Sequence, residues 1–183
     1  MGFIGKTVWP ILRPLISYAE SEMTKLKEIQ IYTDGACKRN PGPGGYGVVL
    51  CYNGHEKVLS GGFRLTTNNR MEMLAAIAGL ESLACACAVT ITSDSKYLVD
   101  AVGKGWARKW RSKNWKKSDG DKALNPDLWG RLLDLCDHHQ VKFVWVRGHA
   151  GHPENERCDQ MATTAAAGEG LLVDEGYEQT ASR

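Results

Sequence analysis

The sequence predicts an α/β fold built on one five-stranded mixed sheet, three antiparallel strands followed by two parallel ones, flanked by helices. Two observations predict it. Three alternating segments follow one another across turn signals, and after them helical and strand-like periods succeed each other.

Lys27–Asp34 alternates Ile29, Ile31 and Thr33 with Gln30, Tyr32 and Asp34, the period of a strand. Asn40-Pro41-Gly42-Pro43-Gly44-Gly45 reads as a tight turn, and Tyr46–Cys51 as the second strand. Asn53-Gly54 is a hairpin signal that returns the chain through Lys57–Arg64. Met71–Ala84 then places Met71, Leu74, Ala75, Ile77, Ala78 and Leu83 at helical spacing, with capping candidates at Thr67–Asn69. Ala88–Thr92 is the fourth strand, and Tyr97–Val102 begins the second helix. Asn125-Pro126-Asp127 offers a cap, a first-position proline and a first-turn acid for a helix through Leu128, Leu132 and Leu135. Val141–Val146 is the fifth strand, and Pro153 opens a last helix through Ala167.

The chain has 183 residues, 43% apolar and 24% charged, enough for one domain with its own core. The expected division is an N-terminal extension over 1–24, a core domain over 25–168 and a loose acidic tail over 169–183. A net charge of +2 lets the whole-molecule field decide little. The apolar stretch Val8–Ile16 is broken by Pro10, Arg13 and Pro14, too short and interrupted to span a membrane or serve as a secretory signal. Lys6 and Arg13, with no acid before Glu20, give it a faint presequence character. The preferred reading is an extension outside the core, or an upstream start with Met23 as the functional one. Six cysteines without framework spacing point to free thiols in a reducing compartment, the cytoplasm. The protein is expected to be a monomer that makes no membrane contact.

Four acids stand where chain reversals and element ends would bring them together: Asp34 in Ile-Tyr-Thr-Asp-Gly, Glu72 in Thr-Thr-Asn-Asn-Arg-Met-Glu, Asp94 in Thr-Ser-Asp-Ser, and Asp159 in Glu-Asn-Glu-Arg-Cys-Asp. Converging carboxylates repel one another unless cations neutralise them. Hard cations with oxygen ligands, Mg²⁺ above all, are the usual partners, and they point to phosphate chemistry. Taken singly, each acid could be a surface charge or a cap; Asp94, before Ser95 and a helix, could be an N-cap. His149, in the glycine-flanked loop Arg147-Gly148-His149-Ala150-Gly151, is a candidate proton carrier.

Other patterns are set aside. Gly42, Gly44 and Gly47 match a dinucleotide-binding spacing, but a strand follows where that motif needs a helix N-terminus. The groups His149, His152, Cys158 and Cys136, His138, His139 fit no zinc spacing. By contrast, Lys104–Lys117 carries seven cations and no acid, with Trp106, Trp110 and Trp115 interleaved. Indoles stack on sugars or bases while cations meet phosphates, so this stretch reads as a nucleic-acid handle, some of its tryptophans anchoring it to the core.

These segments, together with Asn-Pro-Gly-Pro-Gly-Gly-Tyr-Gly (40–47) and Trp-Val-Arg-Gly-His-Ala-Gly-His-Pro-Glu-Asn-Glu (145–156), resemble type 1 ribonuclease H of the bacterial kind from about Leu26 to Tyr177. The resemblance implies the ribonuclease H-like fold and a catalytic domain over 25–168. It implies cleavage of the RNA strand of RNA/DNA hybrids with two Mg²⁺ ions, Mn²⁺ being a substitute, to leave 3′-hydroxyl and 5′-phosphate ends. Asp34 would then bridge the two metals, Glu72 and Asp94 would complete one site, Asp159 would serve the other, and His149 would help move protons and release product. RNA's 2′-hydroxyl would be met by Asn40, Asn68, Asn69 and the backbone near Cys37. The DNA strand would be held by Thr67 and by the handle, chiefly Trp106, Lys109 and Trp110, with little sequence preference. Two departures stand out. Lys38-Arg39 adds charge where small or neutral residues are common, and Lys96 replaces a common neutral amide, where it could reach a substrate phosphate or lower the neighbouring acid's proton affinity. A hybrid-binding module that does not cut would have lost the acids. A different two-metal nuclease would lack Asn40, Asn68-Asn69 and the handle.

Overall fold

In the computed structural model, which describes residues 25–148 and 150–181, the strands are β1 (Lys27–Cys37), β2 (Gly42–Tyr52), β3 (His55–Thr66), β4 (Cys87–Ser93) and β5 (Gln140–Trp145). They form one sheet in the order β3-β2-β1-β4-β5. β1–β2 and β2–β3 are antiparallel, β1–β4 and β4–β5 parallel, as the sequence predicts. Parallel neighbours require crossover connections, and helices supply them. The first crossover is α1 (Asn68–Glu81). The second holds α2 (Lys96–Gly103), α3 (Trp106–Ser112) and α4 (Pro126–His138), and α5 (Pro153–Ala166) and α6 (Glu175–Ala181) complete the chain. Ile31, Val48, Ile77, Leu80, Ile91, Leu98, Trp129 and Leu132 share one buried core between sheet and helices. Each such side chain contributes about 1.5–3 kcal/mol when fully buried.

The glycine-rich segment differs from its reading as a turn. Gly42–Gly45 belong to β2; Gly44 pairs with Cys37 on one side and with Phe63 on the other. Gly45 and Gly47 are there for helix packing. A β-carbon on Gly45 would come 2.5 Å from the Ala162 carbonyl, and one on Gly47 would collide with the Cys158 carbonyl. With only hydrogens at these positions, α5 lies directly on β2, which fixes the helix that carries Asp159.

The expected caps also differ. Thr67 sits at the N-cap position of α1 and Asn125 at that of α4, yet neither side chain makes a capping bond. Asn125 has φ 56° and accepts instead from the Arg70 guanidinium at 3.4 Å. The basic stretch Lys104–Lys117 contains a helix, α3, that was not expected, entered through Gly105 at φ 70°.

Residues 169–181, read as a loose tail, are tied down. Leu172 exchanges backbone hydrogen bonds with β3, its N–H donating to Gly62 and its carbonyl accepting from Arg64. Asp174, 4% exposed, accepts both Nε and Nη2 of buried Arg70 at 2.7 Å and the Thr66 hydroxyl at 2.6 Å. Arg70 also grips Asp127, at 2.7 and 3.0 Å. One buried guanidinium therefore joins α1, α4 and the C-terminal segment. The predicted N-terminal extension, 1–24, lies outside the described residues.

Candidate active site

β4 ends at Ser93, which lies beside Thr33 of β1, so the chain leaves the sheet at Asp94 next to Asp34. Ser95, not Asp94, caps α2: its Oγ accepts from the Leu98 N–H at 3.4 Å. Glu72 arrives from the helix layer. A β-carbon on Gly35 would collide with the Glu72 backbone nitrogen, so α1 rests on β1 at this glycine and sets Glu72 beside Asp34. The result is a cluster in which Asp34, Glu72 and Asp94 each offer a carboxylate oxygen within 4.8 Å of the other two. Asp34 and Glu72 are only 6% and 5% exposed.

Burial, followed by the neighbouring Asp94 charge, pushes Asp34 up to about 7; the Gly35 N–H, donating to its Oδ1 at 2.7 Å, works in the opposite direction. Burial, with Asp34 and Asp94 adding to it, raises Glu72 well above the usual carboxylate range. Three acids this close cannot all carry charge cheaply without a compensating cation. Glu72 Oε2 is buried with no hydrogen-bond partner, the condition of an oxygen awaiting a ligand. The donor set is all oxygen, which suits a hard divalent cation. Asp159, on α5, is half-buried and stands outside this set, near enough for its charge to raise the proton affinity of Asp34.

Asn155 was missed in the sequence. It is 2% exposed, one turn before Asp159 on α5, and its Nδ2 donates to Asp34 Oδ2 at 3.4 Å, while its Oδ1 has no partner. Its spacing of four residues from Asp159 was the available signal, since that spacing puts both on one helix face.

The loop and helix around the cluster bring the predicted substrate-binding side chains to one rim. Asn40 Oδ1 accepts the Asn68 N–H at 3.1 Å, and Asn68 Nδ2 donates to Glu72 at 3.3 Å. Thr67 and Asn69, both half-buried, flank Asn68, and the Cys37 thiol bonds to the Thr66 carbonyl at 3.4 Å. The Lys96 ammonium pairs with Asp100 at 3.3 Å and lies 5.5 Å from the centre of the Trp145 ring, whose Nε1 donates to the Asp94 carbonyl. His149 lies outside the described residues.

The basic segment divides its labour. Trp110 packs edge-on against buried Trp129 at 5.9 Å, and Trp115 is partly buried against the same core. Arg108 and Arg111 tie α3 to α4 through Asp137 and Asp134. Trp106 is 42% exposed, with Lys104 over its ring. Lys109, Lys113 and Lys116 make no ion pair among the described residues and line an open cleft of about 320 Å³ with Trp106 and Trp110. Trp115, Arg108 and Arg111 thus anchor the segment, Trp106 and the lysines present it, and Trp110 does both.

A family model described as RNase H matches residues 26–167. The chain is 63% identical over 152 residues to a protein named ribonuclease H from Rippkaea orientalis, covering 83% of this chain and 93% of that one. It is 63% identical over 151 residues to a ribonuclease H from Syntrophus aciditrophicus, covering 82% and 87%. Among solved structures, LC9-RNase H1, a type 1 RNase H with the type 2 active-site motif, superposes with a TM-score of 0.70 at 34% identity, covering 86% of this chain and 82% of that one.

Proposed function

This chain belongs to the ribonuclease H family, and on that premise we propose that it hydrolyses the RNA strand of RNA/DNA hybrids at a pair of divalent cations, Mg²⁺ in the cell, leaving 3′-hydroxyl and 5′-phosphate ends. The observation that carries this reading is the convergence of Asp34, Glu72 and Asp94, the first two of them buried and pushed toward the protonated form by burial and neighbouring charge. Bound there, the cations would supply activation of the attacking water and charge stabilisation of the leaving 3′-oxygen.

The residues have separate tasks. Asp34, Glu72 and Asp94 would hold cations at the cluster, with Asp34 as a ligand common to both, and Asp159 would serve the second of them. Asn155 positions the Asp34 carboxylate through its hydrogen bond, and His149 carries protons and aids product release. Asn40, Asn68 and Asn69, with the backbone at Cys37, hold the RNA strand by its 2′-hydroxyls. Thr67 and Lys96 meet phosphates, while Trp106, Lys109 and Trp110 hold the DNA strand. None of these contacts needs a base edge, so sequence preference is slight. The protein acts as a monomer in the cytoplasm; its six free cysteines suit a reducing compartment. No helix among the described residues is long and apolar enough to cross a membrane.

The test is a strand-labelled RNA/DNA hybrid incubated with Mg²⁺ beside matched duplex RNA and duplex DNA. Loss of the RNA strand of the hybrid alone is expected, and a chelator should stop it. Cutting of duplex DNA, or binding without cutting, would reject the reading. The exposed lysines give a further expectation. Replacing Lys109, Lys113 and Lys116 together by Gln should make the log–log salt dependence of hybrid affinity shallower by about 2–3, roughly one unit for each phosphate that is no longer neutralised. An unchanged slope in a salt titration would remove these lysines from the binding surface.

A further inference from the structure

Arginine offers a planar fork suited to carboxylates and phosphates alike. Six of the eight described arginines already hold a carboxylate: Arg64, Arg70, Arg108, Arg111, Arg131 and Arg157. Arg39 and Arg147 are the two that do not, and both stand on loops at the rim of the acidic cluster. Arg39 directly precedes Asn40. Arg147 precedes Gly148, where the backbone closes on the Asp94 carboxylate.

Arg39 carries a second unusual feature. Its φ is 57°, a left-handed conformation that glycine takes without cost and a residue with a β-carbon takes against steric resistance. The loop around it is fixed. The Lys38 N–H donates to the Pro43 carbonyl at 2.7 Å, and Asn40 is bonded to the start of α1. An exposed arginine is therefore held in a strained conformation beside the candidate site, with no carboxylate partner among the described residues. Local strain kept at such a place points to function.

We infer that Arg39 grips a backbone phosphate of the bound hybrid next to the nucleotide met by Asn40, as an electrostatic anchor separate from the basic α3. The assignment rests on the proposed ribonuclease activity. It explains why a residue other than glycine stands at φ 57°, and it places a fixed cation where the acidic cluster alone would repel a polyanion.

The experiment compares hybrid cleavage by the parent protein, Arg39→Gly and Arg39→Lys across a salt series, with thermal melting alongside. Glycine suits the loop, so Arg39→Gly should melt at or above the parent temperature. Its KM should rise roughly fivefold at unchanged kcat, and the slope of log KM against log salt should become shallower by about 1. Arg39→Lys should keep the parent slope. A parental KM and slope in Arg39→Gly would overturn the assignment, as would a fall in kcat with KM unchanged, which marks a loop-shaping role. If the parent protein itself failed to cut the hybrid, the ribonuclease reading would fall first and this assignment with it.

Discussion

Asp34→Asn is expected to abolish hybrid hydrolysis and, in the cation-free protein, to raise stability at alkaline pH. If Asp34 holds cations as proposed, its loss should remove several kcal/mol of transition-state stabilisation, roughly a 10³-fold fall in rate or more. The stability effect has a defined sign. Asp34 titrates near 7 in the folded protein, because it is buried beside Asp94, against an ordinary value of 3.8. Between these values the folded state keeps a proton that the unfolded chain has lost, so stability falls as pH rises through that window. Asparagine cannot ionise and escapes the penalty. Urea unfolding in chelator should show Asp34→Asn more stable than the parent by about 3 kcal/mol at pH 8, with the difference vanishing near pH 4. Equal differences at both pH values would mean that the carboxylate is not the source.

The second large effect lies away from the acids. Asp174→Ala is expected to destabilise the protein by about 3 kcal/mol, because it strips two charge-assisted bonds from an arginine that is 2% exposed. Burial opposes the charge on Arg70, and Asp127 and Asp174 together hold it in place. With Asp174 gone, Asp127 remains but the Thr66 hydroxyl also loses its acceptor. Equilibrium urea denaturation measures the loss. A change below about 1 kcal/mol would show that water replaces the carboxylate without cost. Since Arg70 stands two residues before Glu72, the C-terminal segment helps set the helix that completes the acidic cluster.

The parts of this protein that were legible in the sequence are those fixed by local period. The alternation in Lys27–Asp34, the Asn53-Gly54 hairpin and the helical spacing after Met71 pointed to the five-stranded mixed sheet once the elements were counted, while its strand order is read from the structure. The meeting of Asp34, Glu72 and Asp94 followed, because Asp34 lies in the C-terminal half of β1, Asp94 just beyond the end of its parallel neighbour β4, and Glu72 on the intervening helix. What was not legible depends on partners far along the chain. Asp174 reads as one more tail acid until Arg70, 104 residues earlier, is seen to face it. Gly45 reads as a turn residue and Gly47 as an ordinary strand position, because their real constraint, the carbonyls of α5, belongs to a helix more than a hundred residues downstream. Asn155 failed to stand out for the same reason. Its value comes from burial against Asp34, across a strand–helix contact that no local pattern encodes. Asn125 looked like a cap by residue type, yet its left-handed backbone and its bond to Arg70 give it another use.

The central claim is that the converging carboxylates form the cation site. Calorimetric titration with Mn²⁺ of the parent protein and of Asp34→Asn, each in two buffers of different ionisation heat near pH 6.5, tests it most directly. The parent should bind Mn²⁺ and release protons, because Asp34, pushed up to about 7, largely holds one in the cation-free state and burial shifts Glu72 in the same direction, and Asp34→Asn should lose the affinity and most of the proton release. Mn²⁺ binding that is proton-neutral and indifferent to the substitution would place the cation elsewhere and contradict the account.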